Sequence, residues 1–203
     1  MSQKKLVLIL VLLVHSANAQ VDNSKLNNLL SQISSGALQS KSDTLKSIAI
    51  AKDWLVKVKS EKNYREIVST YKGLMYLSNK KTHLLYSDSI LTAANHTKDD
   101  ILIASAYMTK ATVYYGRKQH SNALDNFLKA DEFISKTDDS YSSYKIKYGI
   151  AQTKYYLGFY DEAISLLREC IDYFKDENDR AYLNSIHCLG RSEEHTSELQ
   201  SQR

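Results

Sequence analysis

The side chains able to do acid–base, nucleophilic or metal chemistry are scattered along this chain. His83, His96, His120 and His187 lie far apart, and none stands in a His-Glu-x-x-His pair that would put two imidazoles on one helix face. There is no nucleophile elbow and no Gly-rich phosphate loop. Asp99-Asp100 and Asp138-Asp139 could offer oxygens to a cation, but an Asp just before a helix caps free N–H groups, which accounts for both pairs more simply. No catalytic residue, metal site or cofactor is expected. Cys170 and Cys188 could pair in an oxidising compartment, and two small buried thiols are the favoured alternative. Asn95-His96-Thr97 is a glycosylation sequon, with meaning only in a eukaryotic secretory pathway.

The elements that hold these residues begin after a leader. Lys4 and Lys5 precede an apolar run from Leu6 to Val14, then Ala17-Asn18-Ala19 and Gln20. That order of basic, apolar and small residues reads as a signal peptide over 1–19, too short in its apolar part to span a bilayer at about 20 residues. The mature start is expected at Gln20, and the protein in the periplasm. At the other end, Arg191 to Arg203 (RSEEHTSELQSQR) breaks the preceding apolar periodicity and resembles the translation of a sequencing adapter, so it is expected to be a non-native tail. The array is then expected to stop inside a repeat near Gly190.

The formal charge is +4, from 27 basic and 23 acidic residues, and setting aside the leader and tail lowers it by one. The basic residues form no block, so this fragment carries no electrostatic footprint for nucleic acid. The chain has no Pro and only six Gly, which favours long helices joined by short polar turns.

Self-similarity organises those helices. Ala111 and Ala151, Ala123 and Ala163, Phe127 and Leu167, and Ala130 and Cys170 all recur at one spacing of about forty residues. Small residues are needed where antiparallel helices approach within about 8–10 Å. The pattern predicts helices near 24–36, 43–60, 62–79, 81–96, 99–116, 119–136, 140–157, 160–174 and 179–190. It also predicts a linker with a short helix over 20–42 and repeats over 43–190. Gly73 and Tyr76 repeat the spacing of Ala111 and Tyr114, and Ile90 and Ala93 that of Phe127 and Ala130 with a small shift. The 43–60 segment puts Leu45, Ile48, Ala49, Ala51, Trp54, Leu55 and Val58 on one broad face, and reads as the second helix of a degenerate first hairpin.

Leu157-Gly158-Phe159-Tyr160-Asp161-Glu162-Ala163 carries a family resemblance: it is similar to the tetratricopeptide-repeat (TPR) family, with Gly158 at the turn and Tyr160 packing across it. His120 stands where the family usually has Tyr, Lys154 replaces the aromatic found at Tyr114, and no Pro closes a unit. The resemblance implies an all-α, TPR-like solenoid of antiparallel hairpins that binds a protein or peptide and catalyses nothing. It implies a concave groove lined by Ser105, Met108, Thr112 and Tyr115, by Lys145, Tyr148, Gln152 and Tyr155, and by Asn184 and His187, although the tyrosines could equally be packing residues. The family's paired Lys and Asn clamp for a terminal carboxylate is not reproduced. Together with the leader and the stretch Lys98-Asp-Asp-Ile-Leu-Ile-Ala-Ser-Ala-Tyr107, the repeats resemble the exported sensory part of bacterial AraC-type helix-turn-helix regulators. A free periplasmic scaffold, or an accessory region of a histidine kinase or other enzyme, are the alternatives. Any membrane contact would come from a further segment.

Overall fold

A computed structural model describes residues 41–175 and 180–201, with backbone only at 41–43, 199 and 200. The described residues form helices joined by short turns: α1 Lys41–Ser60, α2 Tyr64–Leu77, α3 His83–Asn95, α4 Asp100–Gly116, α5 His120–Ile134, α6 Ser140–Tyr156, α7 Tyr160–Phe174 and α8 Arg180–Ser201. The predicted helix at 24–36 and the leader lie outside the described residues. No described helix is long and apolar enough to cross a membrane. The chain divides after Thr82 into two compact units, α1–α2 and α3–α8.

The forty-residue period is visible in the backbone hydrogen bonds. Before α4, the Thr97 hydroxyl donates to the Ala94 carbonyl at 2.6 Å and accepts from the Asp99 N–H at 3.2 Å. The Asp99 carboxylate then accepts from the Leu102 N–H at 3.1 Å. Before α6, Thr137, Ile134, Asp139 and Ser142 repeat the arrangement at 2.8, 3.3 and 3.0 Å. These are N-caps that satisfy amides with no intrahelical partner. Hydrogen bonds from Ser142 hold the Asp139 carboxyl below the usual carboxylate range.

The turns within hairpins repeat as well. After α4, Lys118 N–H donates to Tyr115 O at 2.9 Å and Gln119 N–H to Tyr114 O at 3.0 Å; after α6, Gly158 and Phe159 donate to Tyr155 O and Lys154 O, both at 3.0 Å. This pair of bonds is the Schellman ending, which requires a left-handed residue. Gly158 supplies it at φ 84°, and Lys118 at φ 60° despite its side chain. Lys62, at φ 54°, closes the turn between α1 and α2 in the same way, so α1 meets α2 through a within-hairpin type of turn.

Packing follows the pattern of small and bulky residues. Ala111, Ala123, Phe127 and Ala130 are buried in one cluster with Ala104, Ile134, Ile146 and Ile150. Ala151, Ala163 and Leu167 share a second with Tyr155 and Cys188, and Cys170 joins Phe174 and Ala181 in a third. Cys170 and Cys188 are both buried free thiols; burial pushes the Cys170 thiol up to about 12.

Two segments differ from the sequence expectation. In α1 the buried stripe is Ser47, Ala51, Trp54 and Val58, while Leu45 is 60% exposed and Ala49 is also exposed. Among the described residues α2 is the helix packed on α1, and one partner covers only a narrow stripe of the broad apolar face. The last helix does not end near Gly190 but runs on to Ser201. The segment after Gly190 contains no Pro or further Gly, Gly190 does not take the left-handed turn of Gly158, and Ser192 is fully buried.

Within α3–α8, each helix packs on its chain neighbours, and the first helices of successive hairpins also touch: α4 meets α6, and α6 meets α8. The second helices α3, α5 and α7 make no such contact with one another. The first helices therefore line the inner side of this unit.

Candidate functional site

The inner line of α6 is built by residues at helical spacing. Tyr141, Lys145, Tyr148, Gln152 and Tyr156 fall on one side of a helix turning 100° per residue. Lys145 is exposed, and its ammonium meets the Tyr141 hydroxyl at 3.1 Å and sits 4.7 Å over the Tyr141 ring. The Gln152 amide donates to the Tyr148 hydroxyl at 2.6 Å. On α4, Ser105, Met108 and Tyr115 are half-buried and Thr112 is exposed, its hydroxyl donating to the Met108 carbonyl at 2.9 Å. On α8, Asn184 and His187 are exposed.

Tyr155 differs from the groove expectation: it is only 5% exposed and belongs to the core with Ala151, Ala163 and Leu167. It lies one step round the helix from the inner line and is turned toward α7. The neighbouring Tyr156 is 46% exposed and takes the inner position instead. Tyr141, 39% exposed, is the other inner aromatic that the family positions missed. Both carried a legible signal, since four and eleven residues from Lys145 return to nearly the same side of a helix.

An aromatic run connects the hairpins. The Tyr115 ring lies 5.6 Å from Tyr156 and 5.5 Å from His120, and His120 stacks on Tyr156 at 4.8 Å. Tyr155 and Tyr160 meet at 5.6 Å, repeating the Tyr115–His120 contact forty residues on. Tyr114 is partly buried against its hairpin core. His120 thus fills the structural place of Tyr160, with its Nδ1 buried and without a hydrogen-bond partner. Burial drives the Tyr148 hydroxyl well above its ordinary range; burial and the hydrogen bond to Tyr156 do the same for Tyr115. Hydrogen bonds from Arg191 and Tyr115 lower the Tyr156 hydroxyl. Tyr115 and Tyr148 are thus neutral at physiological pH and present hydroxyls rather than charges. Arg191 covers Tyr155 at 4.8 Å and Tyr156 at 5.7 Å.

No cluster of three or more metal-ligating side chains occurs among the described residues. The arrangement offers flat aromatic area, hydroxyl and amide groups and one exposed ammonium, which is chemistry for recognition.

No family model and no curated protein matches the chain. Solved structures do match. The chain is similar to a protein from Podosopora anserina described as a kinesin light chain with nearly identical TPR-like repeats, at TM-score 0.64 and 11% identity over 88% of each chain. A single-substitution form of that protein matches equally. BtubC (BKLC) from P. vanneervenii matches at TM-score 0.59 and 17% identity, over 81% of this chain and 65% of that one. The chain therefore has a TPR-like fold, an all-α solenoid of helical repeats. At these identities the likeness concerns the fold.

Proposed function

We propose that this chain is a non-catalytic interaction module that holds a protein or peptide against the inner side of α4, α6 and α8. The observation that carries this reading is the contact of Tyr115 with Tyr156 across first helices that meet one another, with half-buried Tyr148 on the same line of α6. Aromatic rings with a polar end give large contact area at low entropic cost, as extended peptides and helices require. Replacing Tyr115, Tyr148 and Tyr156 together with Ala should weaken partner binding by about tenfold or more while helicity stays largely intact. Unchanged pull-down of partners by a folded triple variant would remove the groove from consideration.

In the cell, the proposed role is the periplasmic input part of an AraC-type regulator, supported by the leader over 1–19 and the repeat resemblance. A natural reading frame that continues past Gly190 into about 20 apolar residues and a basic helix-turn-helix would support it. A stop after one capping helix would favour a free periplasmic scaffold, and a catalytic domain would make these repeats an accessory. Export is tested separately: the protein recovered from periplasm should begin at Gln20.

A further inference from the structure

The junction between the α4–α5 turn and the end of α6 is closed by a histidine. His120 is the first residue of α5 and is partly buried. Its ring stacks on Tyr156 at 4.8 Å, with 4° between the planes, and makes an edge contact with Tyr115 at 5.5 Å. One repeat on, Tyr160 opens α7 and meets Tyr155 at 5.6 Å. The same structural place is thus filled once by an imidazole, the side-chain type that ordinarily titrates nearest neutral pH, and once by a phenol, which ordinarily titrates far above it.

The surroundings of His120 suit the neutral ring. Its Nδ1 is buried and has no hydrogen-bond partner. A neutral imidazole can keep a bare lone pair there and its proton on Nε2, whereas an imidazolium carries N–H on both nitrogens and leaves the buried one unsatisfied. The start of α5 is also the positive end of a helix dipole, where a further positive charge is disfavoured. The titratable groups facing the ring are Tyr115 of α4 and Tyr156 of α6, and the Arg191 guanidinium of α8 lies 5.7 Å from the Tyr156 ring. None of these is a carboxylate. The Tyr156 face attracts a cation, but weakly, since that ring is 46% exposed and already carries Arg191. His195 has the contrary arrangement: it stacks on Tyr160 at 5.3 Å, yet it is exposed and its Nδ1 lies 3.5 Å from the Glu198 carboxylate, an acceptor for an added N–H.

We infer that His120 makes this junction acid-sensitive: protonation drives the imidazole off Tyr156 and parts the α4–α5 turn from the end of α6, while the Tyr155–Tyr160 junction stays closed. By linkage, a folded chain that keeps this ring neutral binds fewer protons than the unfolded one. Its contribution to stability is therefore complete above the unfolded histidine value of about 6.5 and is lost as pH falls below it. A ring that stays neutral when folded shifts the folding equilibrium by up to about tenfold at about pH 5.5. Carboxylates add little over that interval, because their ordinary values lie near about 4.

The test compares the full chain with His120→Tyr, which copies the Tyr160 junction, and with His120→Phe should the tyrosine variant not fold. Urea unfolding at about pH 7.5 and about pH 5.5 should show the folding equilibrium of the unaltered chain weakened by about five- to tenfold in acid. Either variant should lose most of that drop, and His195→Gln should keep it. Hydrogen exchange read by mass spectrometry, corrected for the intrinsic effect of pH, should become at least about fivefold faster in acid over 114–123 of the unaltered chain and change little over 160–170. Equal acid drops in the unaltered chain and a folded variant would overturn the role of His120. Exchange over 114–123 that acid leaves unchanged would overturn it as well, and that measurement needs no variant.

Discussion

Lys118 and Gly158 occupy one conformation forty residues apart, but only the glycine adopts it without steric cost. Lys118→Gly is therefore expected to raise stability by up to about 1 kcal/mol, and Gly158→Ala to lower it by about as much, both read from urea midpoints. No gain in the lysine variant would mean that its ordered side chain offsets the backbone strain. Gly149 has a different constraint. A Cβ there would lie 2.4 Å from the Phe127 ring, inside the packed seam between α5 and α6. Gly149→Ala should cost about 1–3 kcal/mol by overpacking, and Phe127→Leu in the same chain should recover part of that loss. Additive losses in the double variant would show that the two sites do not share the strain.

At the scale of elements, α4 and α6 are started by equivalent devices. Asp99→Ala and Asp139→Ala should each lower stability by about 1 kcal/mol, because each leaves a helix-start amide without its carboxylate. The Asp139 pKa is lowered in the folded state. Its contribution is therefore present above the unfolded carboxylate value and is lost as pH falls through that value toward the folded one. Asp139→Ala should consequently flatten the acid limb of a stability profile, and an unchanged slope below about pH 4 would contradict the linkage. Turn chemistry of this kind was legible from the chain, since Thr97-Lys-Asp-Asp100 and Thr137-Asp-Asp139 announce caps. The left-handed role of Lys118 was not legible locally, because lysine carries no signal for positive φ; its place one period before Gly158 points to it, and the closing hydrogen bonds show it.

Across the α3–α8 unit, α4 to α7 each lie between two chain neighbours, whereas among the described residues α8 packs on α7 and α6 only. It buries Ala181, Ser185, Cys188 and Ser192, while Leu183 and Ile186 remain 66% and 42% exposed. On α6 the corresponding face packs on α7 through Tyr144, Lys147 and Ala151, with Tyr144 stacked on Tyr173 at 4.0 Å. Amide exchange should be faster over 180–190 than over 100–116 by at least tenfold, because a helix packed on one side has fewer contacts to break before it opens. Equal protection of the two segments would argue that one-sided packing holds α8 as firmly as an internal helix.

The linear pattern of residues was sufficient for the helices, their caps, the repeat period and the small residues at close approach. These depend on contacts between near neighbours in the chain or on a spacing repeated within it. Tertiary packing decided which of two adjacent tyrosines is core and which is surface: Tyr155 turns toward α7 and Tyr156 toward the inner side, a difference of one helical step. It also decided that Lys110, Lys147 and Lys154 find carboxylates on neighbouring helices while Lys145 meets Tyr141. Charge pairing across helices depends on how two cylinders are rotated against each other, and no local spacing along one chain encodes that rotation.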